Sequence, residues 1–439
     1  MKRRRRTSLV LIGGLMLLIF GALALAEEIP PKPAAITMTN MGSLGGDPGL
    51  AHVIKLWEKE TGIKVNVIEL GETWAYDKLI SVLSSRDPSI DIMAANDRWI
   101  KDWAAAGWLE PLDPIAENIL RYYPDPVKDG LQYKGKTYGL HGGNMVSFVY
   151  YRTDLLKEAG YASVPQGWEE MVEFARKTTK DTDGDGVIDQ WGIVHAGIAR
   201  IHFGHIPETL LHQIGGRIFT GDEVTVNSTE GVRALSAVVD LRNKYKVSPP
   251  GVNTYDSGDV LRAFISGKAA MAISWSWMVK MLDQPDSVVK GKWAVTGLPI
   301  LEGGRKSAYY ITTPLLLNVV SKNKYWSMDF IKTYCGYDGQ VLEMIYEPGN
   351  VSFMLGAFED SRVKNPPAEA LKGSNLTAKK YADLLSVFKD LLEYAEVEVV
   401  RNQGTIERIL WEEENAALSG TKTPKEALDG AAAKIRKFR

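Results

Sequence analysis

The stretch from Tyr133 to Lys157, YKGKTYGLHGGNMVSFVYYRTDLLK, constrains the fold more than any other. A Lys-Gly-Lys turn opens it, Tyr138-Gly139-Leu140 follows, and the glycine segment His141-Gly142-Gly143-Asn144 leads into the apolar run Val146 to Tyr151. A run of that length, rich in Val, Phe and Tyr and bounded by Gly, is the pattern of a strand buried on both faces. A glycine pair between extended segments absorbs backbone changes that other residues cannot, so Gly142-Gly143 reads either as a hinge between domains or as an ordinary turn within one sheet. At 439 residues the chain is long enough for two domains, and 45% hydrophobic with 24% charged residues suits a soluble globular protein.

Several segments resemble one family. Leu140-His141, the glycine segment and Val149 to Leu156 are similar to the first crossover of the extracellular solute-binding proteins of ABC importers, in the maltose- and oligosaccharide-binding branch. His141 stands where that pattern usually has Pro, and His141 and Met145 replace residue types that often contact ligand there. Gly267-Lys268-Ala269-Ala270-Met271 through Trp277 resembles the family's Gly-Lys-x-Ala-Met strand ending in an aromatic pair. Glu347 to Ser352 resembles its third crossover, and Gly420 to Leu428 its tail, so the resemblance covers nearly all of the chain after residue 26.

The resemblance implies an α/β, two-lobed periplasmic binding protein fold (type II). Each lobe would be a mostly parallel sheet flanked by helices, and three crossovers would join the two. It places the N-terminal lobe at 36–143 and 312–347 and the C-terminal lobe at 144–311 and 348–439. It further implies high-affinity capture of a carbohydrate, an oligosaccharide in that branch, by a monomer without enzymatic activity, and delivery to the permease subunits of an ABC importer. A non-sugar solute (a polyol phosphate, an oligopeptide or a metal ion) is the alternative, and an exported glycoside hydrolase the more remote one.

The N-terminus points to export. Lys2 to Arg6 is basic, Leu9 to Ala26 is apolar, and Ala24-Leu25-Ala26 ends it, which describes a cleaved secretory signal over 1–26 and a periplasmic protein; a retained membrane anchor is the other reading. Residues 27–35, with Pro30, Pro31 and Pro33, read as an exposed leader. Removing the five positive charges of 1–26 takes the formal net charge from −2 to −7, which gives no electrostatic case for nucleic acid. The single Cys335 excludes an internal disulfide and reads as a buried thiol.

From residue 36 the chain reads strand, helix, strand. Asp47 is placed as N-cap with Pro48 at the first helical position, Leu50, Val53, Ile54 and Trp57 share a face, and Gly62 ends the helix. That order predicts a parallel sheet with right-handed crossovers. Asn96-Asp97-Arg98-Trp99 lies just past the carboxyl end of the strand Ile90 to Ala94, where ligands bind in open α/β sheets. Asp97, Arg98 and Trp99 resemble the family's first sugar-contacting loop, where carboxylate and guanidinium edges match vicinal hydroxyls. By the same resemblance Trp74 and Asn144 join them, and Phe203, His205, Tyr309 and Arg401 face the ligand. Trp275 and Trp277, two apart in an extended run, are expected on one face, where indoles can cover the C–H faces of pyranose rings.

Two patterns invite a metal. Asp181, Asp183, Asp185, Val187 and Asp189, with Gly186 for the sharp turn, reproduce most of an EF-hand-like calcium loop; Gly192 stands where its bidentate Glu would be, so a bound structural Ca²⁺ and a tight acidic turn both remain open. His202, His205 and His212 are close in sequence, but Pro207 is expected to interrupt their helix, and no nearby Cys or acid completes a zinc set.

Overall fold

Strand β1 (Ala35–Met41) is flanked by parallel neighbours, β2 (Lys64–Leu70) on one side and β3 (Ile92–Ala94) on the other. Helix α1 (Pro48–Thr61) joins β1 to β2 as the sequence predicts. The Asp47 carboxylate accepts the Leu50 N–H at 3.0 Å, Gly62 closes the helix at φ 77°, and Leu50, Val53, Ile54 and Trp57 are buried. The computed structural model describes residues 29–41, 47–70, 72–398, 400 and 402–438, with the backbone alone at Glu72, Thr73, Trp74, Pro126 and Phe438. The expected signal over 1–26, Arg401 and the Trp74 side chain therefore lie outside the described residues. All that follows concerns the compact unit Pro33–Arg439.

The remaining strands of the main sheet are β4 (Leu109–Glu110), β5 (Gly139–Arg152), β6 (Trp191–His195), β7 (Ala269–Trp275), β8 (Trp293–Thr296) and β9 (Tyr310–Asn318). Their order is β2-β1-β3-β9-β5-β7-β6, with β8 also on β5 and β4 also on β9. Pairing is parallel at both ends of this sheet, where β1 meets β2 and β3 and where β7 meets β6. It is antiparallel in the middle, because the chain passes from one half to the other along β5 and returns along β9.

Strand β5 is a single extended segment of 14 residues. The first part pairs with β9, from Leu316↔Gly139 to Tyr310↔Val146, and the last part with β7, from Trp275↔Ser147 to Met271↔Tyr151. Gly142 and Gly143 therefore form no turn. They sit in the strand beside a register shift at Thr313/Pro314, where a proline without a donor is tolerated. Their use is room: a Cβ on Gly142 would meet the Tyr334 ring at 2.6 Å, and one on Gly143 the Asn350 amide at 2.8 Å.

Of the run Val146 to Tyr151, Val146 to Tyr150 are buried as the pattern predicts, and Tyr151 is half-buried. Phe148 and Tyr150 face one apolar cluster with Val194 and Ala272, and that cluster continues into the core of β1, β3 and α1. Val149 faces a second cluster, with Ile193, Met271 and Ile273. Helices α2 (Trp168–Thr178), α3 (Ile201–Gln213) and α4 (Thr229–Asn243) cover this second face. Helix α5 (Lys324–Cys335) and α6 (Ala378–Leu392) pack in the first cluster, and α7 (Gln403–Ser419) and α8 (Pro424–Phe438) in the second. At about 1.5–3 kcal/mol for each large side chain removed from water, apolar burial on both faces fixes the register of β5. Cys335 is buried, its thiol donating to the Leu140 carbonyl at 3.4 Å.

Two local expectations are corrected. Helix α3 runs through Pro207, so His202, His205 and His212 share one helix. Strand β7 ends at Trp275 and a 3₁₀ turn begins at Ser276, so Trp275 and Trp277 do not share a strand face.

Candidate functional site

The ends of β1 and β3, the middle of the two crossing strands and the turn after β7 converge on a hollow. It is lined by Met41, Asn96, Met145, His202, Trp275, Trp277, Ile311, Thr312 and Thr313, with a volume of ≈ 690 Å³ that includes the solvent space at its mouth. Met145 and Ile311 are register partners on β5 and β9, so the crossing strands form its floor. Asn96 comes from the carboxyl end of β3, the position at which open α/β sheets bind ligands. A second hollow of ≈ 830 Å³ shares His202 and Trp277 and is otherwise lined by Ile198, Arg200, Asp256, Ser257 and Gly258.

The two tryptophans enter differently. Trp275 is 2% exposed; its ring packs on His205 at 4.3 Å and Tyr309 at 6.1 Å, and its indole N–H donates to His202 Nδ1 at 3.0 Å. Trp277, on the 3₁₀ turn, is half-buried and borders both hollows. His205 is buried and donates through Nδ1 to the Ile201 carbonyl at 2.9 Å; burial pushes its ring pKa down to about 3.

Asp97 and Arg98 are placed off the hollow. Asn96 caps their turn by accepting the Arg98 N–H at 3.1 Å, and both side chains are buried. The Arg98 guanidinium pairs with Glu407 of α7 at 2.9 Å, donates to the Tyr309 hydroxyl and lies over the Tyr309 ring. Burial raises the carboxyl of Glu407 to about 7 despite Arg98, and raises those of Glu208 and, to about 8, Glu414. These three acids line a small pocket of the second half with Gly204 and Trp411.

The other expected ligand contacts have structural partners. Trp99 packs on Trp103 at 5.2 Å and Tyr76 at 5.0 Å. Asn144 is buried and pins the segment around Val351, its side-chain amide donating to the Val351 carbonyl at 2.7 Å while its backbone carbonyl accepts the Val351 N–H at 2.9 Å. Phe203 belongs to the second core, stacked on His195, and is corrected from cleft to core: on α3 it falls on the face that packs inward.

Residues the sequence reading missed are Met41, Asn96 as a lining residue, Met145, His202, Ile311, Thr312 and Thr313 at the hollow, and Glu208, Glu407 and Glu414 beside it. The acids leave a signal. Gln403, Glu407, Leu410, Glu414 and Ala417 recur at helical spacing and are all buried, so charged residues stand on the inward stripe of α7. The acidic loop is a separate matter. Among the described residues, Asp181, Asp183 and Asp189 are the one group of potential ligands within 4.8 Å of one another. Asp181 accepts the N–H groups of Gly184 at 2.6 Å and Gly186 at 2.7 Å, and Asp185 that of Val187 at 2.8 Å. The loop precedes β6, whereas the hollow lies past that strand's other end.

The fold agrees with comparison to known proteins. Residues 43–340 match the family described as bacterial extracellular solute-binding protein. The chain belongs to that family. Among solved structures, maltose-bound MalE3 of T. maritima superposes with a TM-score of 0.79 at 25% identity, covering 92% of this chain and 100% of that one. A solute-binding protein of Agrobacterium radiobacter K84 in complex with ribitol gives 0.77 at 22% identity, covering 94% and 100%, and shows the same fold. The mannitol-binding protein of Pseudomonas aeruginosa is 28% identical over 225 residues, 50% of each chain. The two-lobed α/β architecture of these solute-binding proteins is thus the architecture of this chain.

Proposed function

We propose that this solute-binding protein captures a neutral sugar or polyol in the hollow between its two halves, outside the cytoplasm, and delivers it to the permease of an ABC importer. The observation that carries this reading is the lining. Two indole rings line it with Met145 and Ile311, together with Met41, Asn96, His202, Thr312 and Thr313, and among its described residues there is no carboxylate, Lys or Arg. Indole faces suit C–H patches, and amide, imidazole and hydroxyl groups suit hydroxyls, whereas a phosphate or a metal ion asks for charge. Relatives that bind maltose, ribitol and mannitol support the same class. Export fits the family's extracellular description. Capture without conversion fits the family's description as a solute-binding protein.

A thermal-shift screen with maltose, lactose, mannitol, ribitol and tagatose, alongside a sugar phosphate and short peptides, tests the reading. A solute present at about 100 times its Kd stabilises the folded chain by about 2.7 kcal/mol. At least one neutral saccharide or polyol is expected to raise the melting temperature. Shifts with the phosphate or the peptides alone would overturn the proposal, as would release of product from an oligosaccharide.

A further inference from the structure

We propose that Glu407 is a positioning residue for capture: paired with Arg98, it ties the two halves together across the cleft, so that Arg98 governs closure instead of gripping the solute. Arg98 stands on the turn after β3, in the half built on β1, β2 and α1. Glu407 stands on α7, whose Ile406 and Leu410 belong to the second core. Their side chains are 3% and 8% exposed and meet at 2.9 Å. Tyr309, on the segment that enters β9, takes a second donor of the same guanidinium. Glu407 is braced from its own helix by the Gln403 amide at 2.9 Å, and Gln403 in turn holds the Glu398 carbonyl at 2.8 Å and the Val400 N–H at 3.0 Å.

This arrangement suits a bridge better than a sugar contact. Neither Arg98 nor Glu407 lines either of the two hollows, and every partner named is a group of the chain, so the bridge needs no solute to form. A buried charge is costly without its counter-charge, while separation of the halves would return both groups to water. Because Arg98 and Glu407 come from opposite halves, they meet fully desolvated only in the closed form. A solute shifts an opening equilibrium only by its differential affinity for the two forms. A bridge that already favours closure therefore raises the affinity for any solute without touching it.

Small-angle X-ray scattering of the whole protein at pH 8, above the raised pKa of Glu407 and with no solute added, tests the inference independently of which solute it carries. Wild type is expected near the roughly 22 Å radius of gyration of a compact chain of this length. Glu407→Gln and Arg98→Met, each stranding one charged group or its desolvated partner, are expected to be larger by a few per cent, the scale of hinge opening. The double variant Arg98→Met/Glu407→Met, which removes both charges, should return to the wild-type radius. Circular dichroism with a cooperative melt establishes that each variant is folded, and if one single variant is not, the other carries the same readout. Single variants with the wild-type radius, or a double variant as expanded as the singles, would overturn the proposal.

Discussion

Trp275 and Trp277 divide the work of the hollow between anchoring and contact. Trp275 is enclosed by His202, His205 and Tyr309, whereas Trp277 is half-buried between two hollows. Trp277→Ala should therefore weaken binding of the saccharide found by thermal shift at least about tenfold, about 1.4 kcal/mol, and leave the melting temperature of the free protein nearly unchanged. Trp275→Ala should weaken binding and also cost about 3–5 kcal/mol of stability, as truncation of a buried aromatic does. Titration calorimetry and melts separate the two, and full affinity in Trp277→Ala would remove the stacking role. The sequence made both tryptophans legible, because a strand signature runs into them. It misled on their geometry because nothing in Ser274 to Trp277 marks where extended backbone gives way to a 3₁₀ turn. For Arg98 it marked the right strand end but not the direction of the side chain, since that depends on Glu407, more than three hundred residues away.

At the scale of elements, β5 was readable and its glycines were not. Val146 to Tyr150 declares a strand buried on both faces through composition alone, but the purpose of Gly142 and Gly143 lies in what α5 and the 347–352 segment bring against them. Neither glycine has a positive φ, so an added Cβ is a question of space only. On Gly142 it would meet the ring of Tyr334, itself 2% exposed and closely packed, at 2.6 Å. On Gly143 it would meet the end of the Asn350 side chain. Gly142→Ala should thus cost about 1–3 kcal/mol by overpacking, set against a gain of about 0.4–1 kcal/mol from a stiffer unfolded chain. Gly143→Ala should cost less, because the Asn350 amide is the end of a side chain and gives way at the expense of its hydrogen bond to Glu343 at 2.7 Å. Urea unfolding of the two variants checks the order, and equal or reversed losses would mean that the Tyr334 ring yields. The helices follow the same logic: α1 is legible through its Asp47 cap and its apolar stripe, while Glu407 on the buried stripe of α7 is explained by Arg98 across the cleft.

For the whole molecule, buried titratable groups set the pH range of the fold. Burial raises Glu407 and Glu347 to about 7 and Glu414 to about 8, from the ordinary 4.5. Between 4.5 and these values the folded chain holds protons that the unfolded chain has released, so this contribution makes stability fall as pH rises. Burial also lowers His141 and His205 to about 3 and His195 to about 4, from the ordinary 6.5. Below 6.5 the unfolded chain takes up protons that these rings refuse, so this contribution makes stability fall as pH falls. Burial raises the carboxyls of Glu208, Glu343, Asp47 and Asp97 as well, so between 4.5 and 6.5 the acids outweigh the three histidines that oppose them, and each set acts alone outside that window. Below 4.5, Glu359 and Asp360, both lowered to about 2 by hydrogen bonds to Lys364 and Lys389 and to Arg362 respectively, add to the acid-side loss. Melting temperature, followed by circular dichroism, should peak at about pH 4.5 to 5 and decline by several degrees toward pH 9 and toward pH 3.5. Glu414→Gln, which removes the acid raised furthest of the three, should flatten the alkaline decline and leave the acid side as it is. A maximum at pH 8 or above would mean that the buried carboxyls are ionised in the folded chain and that Arg98 and Lys280 outweigh burial at Glu407 and Glu347.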